Sequence, residues 1–168
     1  MLSKDQIVQS LTQLGSQSGE FTTSKGDDTD LVIEHKIVDA EYYKVAGKEK
    51  VLKEYRAYVL LDEATSEARY NEELTDESSG MGVNMADGEM GFGKSKSIFR
   101  GKVIGMKETG KVWGLKKDLT PGKVVDYSFD VKEFRRPIEE ALIAAGWRLV
   151  PVILRKDASY PKKKGWFR

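Results

Sequence analysis

"GEMGFGKS", residues 88–95, separates a nucleotide-binding α/β fold from an antiparallel sheet. From Gly88 it spells glycine, four residues, Gly93, Lys94 and Ser95, the spacing of a phosphate-binding loop. Such a loop works in one setting. A buried strand delivers the glycines, and a helix begins at the Lys-Ser so that its free N–H groups face the phosphates. A carboxylate ending a second apolar strand helps hold magnesium. The neighbours do not supply that setting. Upstream, "SSGMGVNMA" (78–86) makes no strand. Downstream, Ile98, Phe99, Val103 and Ile104 are β-type residues, and Gly101 and Gly105 weaken any helix. "YVLLD" (58–62) does end in Asp62, but it precedes the loop and sits in an antiparallel hairpin. Residues 75–95, rich in glycine and methionine, are therefore read as a long loop joining two halves of an antiparallel sheet. Nucleotide binding or hydrolysis through Gly88, Gly93, Lys94, Ser95 and Asp62 is kept as the alternative.

Strand patterns lie on both sides of that loop. Upstream, "DLVIEHKIV" (30–38), "YYKV" (42–45), "VLKEYRAYVLL" (51–61) and "ARYNEEL" (68–74) are separated by turn clusters, which reads as a meander. In the first of them Leu31, Ile33, His35 and Ile37 share one face, and Val32, Glu34, Lys36 and Val38 the other. Downstream, "KVWGL" (111–115) and "KVVDYSFDV" (123–131) continue the sheet, with Val125, Tyr127, Phe129 and Val131 alternating against polar residues. Two helices frame it. Ser3 and Gln6 form a capping box before the stripe Ile7, Val8, Leu11 and Leu14, and Gly15 reads as the end. "PIEEALIAAG" (137–146) reads as the second helix, with Pro137 at its first position and Gly146 as its stop. "WRLVPVILR" (147–155) reads as a last strand, and Pro151 marks an edge or a bulge.

The expected architecture is α+β, a curved antiparallel sheet or barrel-like meander of about seven to nine strands. It has an N-terminal helix, and a late C-terminal helix followed by a final strand. Residues 1–160 form one domain and 161–168 a basic-aromatic tail. In architecture alone this order resembles the helix-grip and tubby-like barrels, which bind ligands. The aromatic residues Tyr43, Tyr55, Tyr58, Tyr70, Phe99, Trp113, Tyr127 and Phe129 all fall on predicted strands, and either fill the sheet's interior or line a pocket for an apolar small molecule.

Composition removes several function classes. The 168 residues contain no cysteine, which excludes disulfides, thiolate metal sites and a cysteine nucleophile. His35 is the single histidine, so a histidine-rich metal site is excluded too. It is read as a rim histidine with one hydrogen bond rather than a general base. "GDDTD" (26–30) lacks the spacing of a calcium loop and reads as a charged hairpin tip; "NEELTDE" (71–77) reads as a solvated strand end. No cofactor is implied. The N-terminus is too polar for a signal peptide and no apolar run reaches membrane-spanning length, which makes a cytoplasmic protein the natural reading.

Charge points toward partners. Residues 1–90 carry 19 acidic and 9 basic side chains; residues 91–168 carry 8 and 19. Either the halves lie side by side and their charges mix, or a basic part is left to meet an anionic partner. "YPKKKGWFR" (160–168) concentrates the second option in Lys162, Lys163, Lys164, Trp166, Phe167 and Arg168, which suit an anionic membrane or single-stranded nucleic acid. The expected function is a non-enzymatic binding module for an anionic or apolar partner. Besides the nucleotide alternative stands a third, an assembly protein in which acidic and basic halves of different copies meet.

Overall fold

Three long antiparallel strands dominate the structure, a computed structural model that describes residues 2–44, 47–83, 90–101, 106–115 and 121–161. They are β2 (Leu31–Lys44), β3 (Gly47–Asp62) and β4 (Glu67–Val83), of 14, 16 and 17 residues. Strands of about 5–6 residues are the common length, so these reach well past one core. β5 (Met90–Gly101) pairs with β4, and the hairpin of β6 (Lys107–Leu115) and β7 (Pro121–Asp130) joins β2 through Tyr43 and Leu115. The short β1 (Thr22–Ser24) lies along the start of β2, and β8 (Arg148–Pro151) runs parallel to the start of β4. The order β5-β4-β3-β2-β6-β7 is open, since among the described residues its two ends do not pair with each other. The helices are α1 (Lys4–Ser18) and α2 (Val131–Ala144). This is the expected α+β architecture, mixed only by the parallel β8.

The core occupies one end of the long strands. Leu31, Ile33, Tyr55, Val59, Leu61, Tyr70 and Leu74 line one face of the sheet. Onto it α1 lays Ile7 and Leu11, and α2 lays Val131, Phe134, Ile138 and Leu142. Phe21, Phe129 and Trp147 fill the seams. Each such side chain contributes roughly 1.5–3 kcal/mol by leaving water. Residues 75–83 of β4 run on past this core, a reach of roughly 30 Å at the strand rise.

Local chemistry explains the helix ends, and corrects two of them. The capping box forms: the Gln6 amide donates to Ser3 Oγ, and the Ser3 amide donates to Gln6 Oε1 at 2.9 Å. Gly15 does not end α1. It is buried inside the helix, where an added Cβ would stand 2.7 Å from the Phe21 ring, and Gly19, at φ +68°, makes the left-handed stop. α2 starts six residues before Pro137. Asp130 caps it by accepting from the Lys132 and Glu133 amides, and the buried stripe Val131, Phe134, Ile138, Leu142 needs the extra turns. Pro137 sits inside the helix.

The long loop is also corrected. Residues 75–83 belong to β4 and 90–95 to β5, paired without interruption from Glu72 with Gly101 to Val83 with Met90; residues 84–89 lie outside the described ones. Glycines face glycines across this ladder, Gly80 opposite Gly93 and Gly82 opposite Gly91. They hide the period-2 pattern that side chains would show, while their backbone groups still pair. In β2 a bulge between Lys36 and Val38 resets the alternation. Val38 pairs with Lys53 and is buried, so it leaves the face of Glu34 and Lys36.

Candidate interaction surface

The sheet's two faces have different fates. One is covered by the helices. The other, at the core end, is covered by the chain after β8. There Asn71 donates to the carbonyls of Val152 and Ile153 at 3.0 and 2.9 Å. The Arg155 guanidinium lies 3.8 Å from the centre of the Tyr58 ring and pairs with Asp28 at 2.5 Å. The Tyr160 hydroxyl donates to Asp30 at 2.6 Å, and that bond pushes it up to about 12. Thr29 is fully buried between the carbonyls of Val59 and Ala158. Residues 26–30 are the charged tip of the β1–β2 hairpin, with Asp27 and Asp28 exposed, and Thr29 anchors that tip in the core.

Beyond this cover the outer face carries charged rows. One row crosses four strands, Glu34, Arg56, Glu73 and Arg100, each directly opposite the next. Arg56 meets Glu34 at 2.7 Å and Arg100 meets Glu73 at 2.8 Å. A second row runs Asp39, Leu52, Glu77 and Lys96, with Lys96 paired to Glu77. Among the described residues, acids of the first half and bases of the second therefore lie side by side. Arg100–Glu73, Lys96–Glu77, Arg135–Glu72, Arg148–Glu67 and Arg155–Asp28 each join a cation of the second half to an anion of the first.

These rows end at β5. It closes the strand order, and among the described residues nothing pairs with its outer edge. Every described side chain from Lys94 to Arg100 is exposed, Ile98 by 40% and Phe99 by 53%. Ile98 shares the outer face with Lys96 and Arg100. Phe99 ends the inner row His35, Tyr55, Leu74.

The residues of the phosphate-loop spelling do not assemble. Gly93, Lys94 and Ser95 are strand residues opposite Gly80, Ser79 and Ser78, so no helix begins at Lys94-Ser95. Gly88 lies outside the described residues. Asp62 ends β3 opposite Glu67, and its carboxylate accepts from the Ala64 amide at 3.0 Å. Eleven positions of β4 separate Glu67 from Ser78, which is roughly 37 Å of strand. Lys162, Lys163, Lys164, Trp166, Phe167 and Arg168 also lie outside the described residues.

Two polar places near the core have structural roles. His35 is half-buried, as a rim histidine should be. Its Nδ1 meets the Glu20 carbonyl, and its ring stacks on Phe129 at 5.0 Å. It opens onto a groove of about 480 Å³, where Asp130 is engaged in capping α2 and Glu133 pairs with Arg136. Among the described residues no group of histidines and carboxylates is placed to hold a metal. The second place overturns the solvated reading of residues 71–77, because Asn71, Glu72, Glu73, Leu74 and Thr75 are all buried. Glu72 has no exposed surface. It accepts from the Tyr55 hydroxyl at 2.7 Å and from Arg135 Nη1 at 2.9 Å, and Arg135 lies over the Tyr70 ring. Burial and the Glu72 charge push the Tyr55 hydroxyl well above its ordinary value and Tyr70 up to about 12. Both stay protonated at neutral pH, and the cluster ties α2 to the sheet. Strand alternation with Tyr70 and Leu74 already placed Glu72 on the inner face; the run of charges around it concealed this.

The aromatic residues divide in the same way. Tyr55, Tyr70 and Phe129 fill the core, Tyr58 lies under Arg155, and Tyr127 faces the Lys53 ammonium at 5.7 Å. The side chains of Tyr43 and Trp113 are outside the described set. No helix among the described residues is long and apolar enough to cross a membrane. No protein-family model, curated protein or solved structure matches this chain.

Proposed function

We propose that the chain is a non-enzymatic binding module that holds an anionic partner at the outer edge of β5. The tail residues Lys162, Lys163, Lys164, Trp166, Phe167 and Arg168 would add a second contact. One observation carries the reading: an edge strand exposed from Lys94 to Arg100 mixes cations with two large apolar side chains. Edge strands with such exposure are templates for a further strand or a flat partner. The apolar-ligand reading has less support, because the helix-covered face is packed with side chains. Assembly through acidic and basic halves of different copies draws none from pairs already made within one copy.

Binding assays with phosphatidylserine-containing vesicles, single-stranded RNA and poly-glutamate, at low and physiological salt, test the proposal. At least one target is expected to bind, more weakly as salt rises. Failure of all three at low salt would end it. Deleting residues 161–168 separates the two contacts: binding that survives is the edge's. Calorimetry with Mg-ATP addresses the nucleotide alternative, where no binding is expected; micromolar affinity lost in Lys94→Ala would restore it.

A further inference from the structure

The rows that cross the sheet specify what an added strand should carry. Directly opposite residues lie on one face with close Cβ atoms, where unlike charges and apolar pairs stabilise and like charges oppose. The row Glu34, Arg56, Glu73, Arg100 alternates acid and base and stops on a base. The row through Glu77 stops on Lys96, again a base. Between them, Thr75 leads to Ile98 on the outer face and Leu74 leads to Phe99 on the inner face. The next strand is therefore acidic opposite Arg100 and Lys96, and apolar opposite Phe99 and Ile98.

The β5 strand of a second copy does not meet that requirement, because residues 90–101 hold no acid. Two β5 strands paired about a twofold axis at Ile98 would set Lys96 opposite Arg100 in both directions, cation against cation. A nucleic acid would match the charge but offers no side chains for Phe99 and Ile98 to pair with on opposite faces of one strand. A flat anionic bilayer meets one face of β5 and not both.

We infer that β5 accepts an extended acidic peptide segment of a partner protein as a further antiparallel strand. Along that segment the side chains read acid, apolar, apolar, polar, acid, opposite Arg100, Phe99, Ile98, Ser97 and Lys96 in turn. This rests on the binding reading above. Antiparallel pairing is chosen because β3–β4 and β4–β5 already pair that way beyond the core. Arg100 and Lys96 keep Glu73 and Glu77 on one side and gain a carboxylate on the other, as Arg56 already lies between Glu34 and Glu73 in the row.

The test is fluorescence anisotropy with a labelled, end-blocked peptide containing Glu-Val-Val-Thr-Glu, compared with a scrambled peptide of the same composition and with single-stranded RNA and phosphatidylserine vesicles. The ordered peptide is expected to bind at least tenfold tighter than the scrambled one. Replacing both its glutamates by glutamine should weaken it at least tenfold, a change that leaves the protein untouched. The double substitution Lys96→Gln, Arg100→Gln should do the same, and peptide-induced amide shifts should centre on residues 94–101. Equal binding of ordered and scrambled peptides would overturn strand addition. So would self-association that the peptide fails to displace. If RNA or vesicles bind and the peptide does not, this inference falls and the broader binding reading stands; if nothing binds, both fall.

Discussion

A carboxylate with no exposed surface must be met by donors, and Glu72 is met by Tyr55 and Arg135. Removing one partner of such a pair leaves a buried charge uncompensated, which costs about 3–5 kcal/mol. Arg135→Met is expected to lower unfolding stability by that amount in urea titrations. The double variant Glu72→Gln, Arg135→Met should lie closer to the wild type than Arg135→Met alone, because the charge goes with its partner. If the single and double variants are equally unstable, the pair is not what joins α2 to the sheet. Gly15 gives a second test at this scale. Alanine for glycine within a helix ordinarily stabilises, by roughly 1 kcal/mol. Here the new methyl would strike Phe21 at 2.7 Å, so Gly15→Ala is expected to lower the stability instead, by about 1–3 kcal/mol.

At the scale of elements, α2 depends on its cap. The Glu133 and Lys132 amides, with Lys107 close by, hold the Asp130 carboxyl below its ordinary value. Its folded pKa is depressed, so the stability it contributes is present above the unfolded pKa and is lost as pH falls through the folded one. Melting temperatures should therefore show no Asp130-dependent change between neutrality and about pH 4, and a fall below it. Asp130→Asn, which can still accept from the amides but does not titrate, should flatten that part of the fall. A profile identical to the wild type would mean the cap contributes nothing. The strand pair β4–β5 teaches a different lesson. Residues 75–95 lack side-chain alternation because glycine supplies none, yet the backbone ladder closes on both sides of residues 84–89.

For the whole molecule, stability should fall into two tiers. Residues 31–38, 55–62 and 67–75 hold the buried side chains of the long strands, while the described side chains of 39–41, 48–54, 76–80 and 94–100 are half-buried or exposed and are held by ladder bonds and surface ion pairs. Exposed ion pairs add little, on the order of 0–1 kcal/mol each. Hydrogen exchange is expected to protect the first set most strongly and the second less. Uniform protection along β3 and β4 would show that the sheet opens only as one unit. Residue types and local spacing were enough for the α+β class, the apolar stripe of the first helix, the capping box at Ser3 and the exclusion of cysteine chemistry. These follow from residue types and local periodicity, which a linear text carries. It took the folded arrangement to make Gly80 and Gly93 strand partners, to bury Glu72 beneath Arg135, and to bring five basic residues of the second half to acids of the first. Each of those depends on which distant segments lie opposite one another, and register between strands is set by the whole sheet, not by any stretch of it.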